Sequence, residues 1–132
     1  MRRGKRAMER WWVEAWPILT RVMDAEDRLI EGCEGPAIVV NASCDQLAAA
    51  VSHAQFWVDR HRCPDAKFGL YVLELISASR GMWSIMQMIA REAPDGGWMN
   101  DRDLTDRVGT NLLDRIQQAS TARIFLRRWA PL

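Results

Sequence analysis

His53 and His61 are the only histidines of this 132-residue chain, and Cys33, Cys44 and Cys63 its only cysteines. Imidazole and thiolate are the ligands a structural zinc site takes, but these spacings match no zinc pattern. Cys63 and His61 form the one thiol–imidazole pair close in sequence. Nucleophilic catalysis would need that pair in hydrogen-bond reach with a third group orienting the base. Residues two apart on a helix point away from each other. Phosphate-binding glycine loops, nucleophile elbows and paired-glycine nucleotide fingerprints are missing. The expectation is a protein that works by binding, without a catalytic residue, metal or cofactor.

Tryptophan and arginine carry the binding chemistry. Seven tryptophans are present, and Trp11, Trp12 and Trp16 cluster near the basic start. Trp and Arg dominate interface hot spots because they join large contact area to directed polar groups. Trp11 and Trp12 are adjacent, so one of them is expected near the surface. Five cations (Arg2, Arg3, Lys5, Arg6, Arg10) stand against Glu9 in residues 1–10, and residues 115–132 hold four arginines and no acid. The overall charge is only +1, so the middle is acidic. The expected partner-binding set is Arg3, Arg6, Arg10, Trp11, Trp12, Arg123, Arg127 and Arg128, meeting a protein or nucleoprotein. The alternative is a small nucleic-acid-binding regulator. It would use the basic termini or a helix-turn-helix-like stretch near 101–118, with Gly109 at the turn and Asn111, Arg115 and Gln118 reading base edges. Asp103, Asp106 and Asp114 stand against that alternative, since they put negative charge where phosphates would lie.

Four helical segments must position these groups. The first, about Lys5 to Glu31, carries Met8, Trp12, Ala15, Leu19, Val22, Met23, Leu29 and Ile30 on one side and a row of charges on the other. Pro17 removes one backbone bond and should kink it. No capping residue near position 16 supports a fresh start there, so a bent helix is expected rather than two. Gly32, Gly35 and Pro36 end it. The β-branched run at 37–41 suits a short extended piece, and Ser43 with Gln46 forms a capping box opening a second helix to about Arg62. Asp65 caps a third, apolar almost all round, which places it at the centre of the fold. Pro94-Asp95-Gly96-Gly97 is a turn. Asn100 or Asp101 caps the fourth, whose inner face runs from Leu104 to Trp129, and Gly109 threatens to divide it.

Short connections between amphipathic helices predict an all-α, antiparallel four-helix bundle (five helices if Gly109 divides the last) forming a single helical domain over 1–132. In that path the two basic ends share a pole. The composition, 48% apolar and 27% charged, is that of an ordinary globular domain. The longest apolar tract contains Glu74 and Arg80, which argues for a buried helix and against a membrane span. The start has no clean apolar core of a signal peptide, and three irregularly spaced cysteines are no disulfide framework. A reduced, cytoplasmic protein is the expectation. The many large apolar residues on four helices also suit a homo-oligomer, since a patch would stay uncovered.

Overall fold

A computed structural model describes residues 2–128, with side chains from residue 4 onward. The chain is an all-α bundle. Helix α1 spans Arg2–Glu31, α2 Ala37–Arg60, α3 Ala66–Glu92 and α4 Arg102–Arg127, with a 3-10 turn at Trp98–Asn100 before α4. Among the described residues there is no strand. No described helix is long and apolar enough to cross a membrane.

Helices α1 and α3 bury residues alternately three and four apart, the spacing that keeps one face turned to a neighbour. On α1 these are Met8, Trp12, Ala15, Leu19, Val22, Glu26 and Leu29; on α3, Phe68, Val72, Leu75, Ser79, Met82, Met86 and Ile89. A polar residue thus interrupts the apolar row of each. Helix α1 runs through Pro17 as one helix, as the missing cap required. Asp65 and Asp101 cap α3 and α4, each carboxylate accepting the backbone N–H three residues on, at 2.9 Å and 3.1 Å.

Helix α2 begins at Ala37, six residues before the expected capping box. Pro36 supplies a preset φ of −65° at the cap. The Ala37 N–H, an orphan donor at a helix start, is taken by the Pro94 carbonyl at 2.8 Å, and Gly97 N–H reciprocates to Glu34 O at 2.8 Å. The loop after α1 and the loop after α3 are therefore stitched together. Gly96 makes the close approach possible: its φ is +89°, and a Cβ there would lie 2.5 Å from Glu34 O.

Consecutive helices are antiparallel neighbours, and α3 packs on each of the other three. It is central in that sense, yet one strip stays open, with Leu70 and Leu73 exposed. Helix α4 is continuous through Gly109. It leans on α3, and its backbone makes scarcely any approach to α1. At one pole Trp12 meets the Phe68 ring at 4.9 Å and Phe125 stacks on Tyr71 at 4.3 Å. The start of α1 and the end of α4 therefore both flank the start of α3, as an up-down-up-down path demands.

Candidate functional site

The tryptophans at that pole are a plug, not a surface. Trp11 and Trp12 are both buried, which corrects the expectation that one would face solvent. The adjacency argument assumes a single packing partner, but α1 here has two. Trp12 follows the core row against α3. Trp11 turns to the end of α2, where its Nε1 donates to the His61 carbonyl at 2.6 Å and its ring lies 5.5 Å from Trp57. Of the predicted arginines, Arg6, Arg10, Arg127 and Arg128 are exposed, and Arg128 lies over the Phe125 ring. The Arg3 side chain lies outside the described residues, as does Trp129.

Arg123 is not free for a partner either. Its guanidinium is 14% exposed and bonds Glu26 Oε1 at 2.6 Å and Asp27 Oδ1 at 2.9 Å, with a further bond to the Met23 carbonyl at 2.9 Å. The other Glu26 oxygen accepts from Ser79 Oγ at 2.5 Å. Glu26 and Ser79 are the two polar residues interrupting the rows of α1 and α3. Burial raises the Glu26 pKa above its ordinary value of 4.5, outweighing the downward pull of Ser79 and Arg123. For Arg123, burial works against the charge, but the bonds to Glu26 and Asp27 outweigh it and hold the pKa up. This cluster ties α1 to α4 across a seam where their backbones stay apart.

Toward the opposite pole the seam stays open. There an apolar cleft of about 240 Å³ lies between Leu29 and Ile30 in α1's last turn, Cys33 just after it, Met82 and Met86 of α3, Trp98 and Met99 of the 3-10 turn, and the α4 face from Thr105 to Ile116. No polar atom is exposed in its wall. Thr105 contributes no free hydroxyl, because its Oγ1 donates to the Trp98 carbonyl at 3.3 Å. Met99 and Leu113 at the mouth are 51% and 60% exposed. The Cys33 thiol is pushed up by burial, an effect partly opposed by the Trp98 indole. That indole Nε1–H is itself buried and does not open on the cleft. Gly109 forms part of the α4 wall. A cleft with these properties can hold a neutral apolar group; it offers nothing to stabilise a charge.

The alternative set, Asn111, Arg115 and Gln118, does come together, but on the α4 face turned to α3. Arg115 crosses Gly81, where a Cβ would lie 2.6 Å from its Nε. Its Nη1 donates to Gln118 Oε1 at 3.0 Å, and Gln118 in turn donates to Glu74 at 2.5 Å. Because α4 is a single helix, there is no turn at Gly109 to present a recognition helix. No three His, Cys, Asp or Glu among the described residues stand close enough to hold a metal. Sequence reasoning missed Glu26 and the cleft. Glu26 had a visible signal, since positions 22 and 29 leave a gap in the row that 26 fills. The cleft had none, because it depends on how far α4 stands from α1. Set against protein-family models, curated proteins and solved structures, the chain finds no match.

Proposed function

We propose that the protein is a binding module and that its ligand is a small, neutral, apolar molecule held in the α1–α4 cleft. The observation that carries this is the wholly apolar wall around about 240 Å³. Dry engineered cavities of roughly 150 Å³ admit benzene. Cofactor and drug sites more often occupy ~300–1,000 Å³. The space therefore suits one or two fused rings, not a nucleotide or a long chain. The three cleft methionines lend it adaptability, since unbranched thioethers refit around different occupants. Titration with 2-naphthol, followed by methionine methyl NMR, tests the reading. Saturating shifts are expected at Met82, Met86 and Met99, while Met8 and Met23, packed in the core elsewhere, stay still. Uniform small shifts at every methionine, or none, would refute it.

A second reading rests on the arginine pole. Arg6 and Arg10 are exposed and make no ion pair among the described residues, and Arg127 and Arg128 project at the same pole. These would meet an acidic protein surface or nucleic acid. Binding of that kind weakens steeply with salt, and a gel shift absent at low ionic strength would dismiss the nucleic acid.

A further inference from the structure

Glycine inside a helix is about 1 kcal/mol less favourable than alanine, so Gly109 in the middle of α4 needs a reason. Gly81 and Gly96 have one. At Gly81 a Cβ would run into the Arg115 side chain, and at Gly96 it would run into the backbone of 34–35 at positive φ. At Gly109 the backbone is ordinary helix, and a Cβ would meet only Thr105 Cγ2 at 3.5 Å, a normal contact. The fold would accept alanine there. The side of α4 that carries Gly109 faces the cleft, so the volume a methyl group would take is volume open to a ligand. The missing side chain also leaves bare backbone, a flat patch in a wall otherwise built of branched and thioether side chains.

Resting on the reading that the cleft binds an apolar molecule, we propose that its ligand is a flat aromatic ring system and that Gly109 is the residue that selects it. A flat ring can lie against backbone where a puckered saturated ring cannot. Met82 and Met86 from α3 and Met99 from the 3-10 turn bring three sulfurs to the same space, and thioether sulfur makes favourable contacts with aromatic rings. The Trp98 indole offers a further aromatic partner for edge or offset packing. The absence of charge in the wall makes the ring neutral.

The test uses the full chain and three probes: 2-naphthol, its saturated counterpart decahydro-2-naphthol, and phenol. Wild type should bind 2-naphthol with upfield, ring-current shifts of the Met82 and Met86 methyls, and bind the saturated alcohol several-fold more weakly. Gly109→Ala should melt at a higher temperature than wild type and lose about tenfold or more in affinity for 2-naphthol, with phenol binding unchanged. Equal affinity of wild type and Gly109→Ala for 2-naphthol would overturn the role of Gly109. Equal affinity of the aromatic and saturated alcohols would overturn the selection for flat rings while leaving the cleft intact as an apolar site. Failure of every probe to move a cleft methionine would instead defeat the underlying reading.

Discussion

Replacing Arg123 with Met keeps the hydrocarbon stem and removes the guanidinium that spans α1 and α4. Three ties are lost: to Glu26 at 2.6 Å, to Asp27 at 2.9 Å and to the Met23 carbonyl at 2.9 Å. The Asp27 tie is half exposed and contributes little, about 0–1 kcal/mol. The Glu26 tie decides the outcome, because Glu26 is fully buried and would retain only the Ser79 hydroxyl. Removing one partner of a buried pair costs about 3–5 kcal/mol, since the remaining charge is left uncompensated. The loss should depend on pH in a fixed sense. Burial already lifts the Glu26 pKa above 4.5, and without Arg123 nothing but Ser79 opposes it. A carboxyl whose folded pKa exceeds its unfolded one holds a proton that the unfolded chain releases. Its contribution is complete below the unfolded value and is lost as pH rises through the folded one. Urea unfolding should therefore show a deficit that is small in acid and grows above pH 4.5. Adding Glu26→Gln to Arg123→Met should restore part of the stability at neutral pH, because the pair is coupled. A deficit under about 1 kcal/mol and flat with pH would refute the argument, for that is how a surface pair behaves.

Gly96→Ala should destabilise the bundle by about 1–3 kcal/mol in thermal or urea unfolding, since it forces a side chain into positive φ and against the Glu34 carbonyl. Unchanged stability would mean that the two loops are not stitched as described. Cys33 should react with a maleimide more slowly than an unfolded thiol, because burial raises its pKa. Saturating 2-naphthol should slow it further, read by mass spectrometry of the modified peptide, and acceleration on binding would contradict the cleft geometry. Asp101→Ala should cost about 1 kcal/mol through the lost cap of α4, seen as a lower urea midpoint with an unchanged slope.

Much of the bundle could be read from spacing alone. Val40, Cys44, Leu47, Val51 and Ala54 are buried on α2 because three-four periodicity leaves a helix no other way to hide them. Asp65 and Asp101 declared themselves as caps because capping is local chemistry. The start of α2 did not, because its first N–H is satisfied by Pro94, far along the chain. Local preference read 37–41 as extended, and the tertiary bond made it helix. Trp11 was misread because a wheel with one buried face cannot represent a helix overhanging a loop. Arg123 looked like one more cation in a basic tail. Nothing in its neighbours showed that it would reach residues some hundred positions earlier, although the polar gap at Glu26 marked the place where such a partner was needed.

The cluster and the cleft have a common origin in how the bundle closes. In an up-down-up-down path the last helix must meet the first to complete the ring of contacts. Here α4 packs against α3, and small side chains at Ala119 and Ala122 are buried in its inner face. On the side turned to α1, α4 offers Thr105, Gly109, Leu112, Leu113 and Ile116, but its backbone stands too far from α1 for these side chains to fill the gap. A chain that needed only stability would close such a gap, since each unfilled methylene forgoes packing energy. This one bridges the middle with an arginine that reaches a buried carboxylate and leaves the end of the seam hollow. Bridging by a long charged side chain fixes the separation of α1 and α4 without filling the space beside it. That separates two jobs apolar packing would have merged: holding the closing helices in register, and keeping a vacant apolar volume between them.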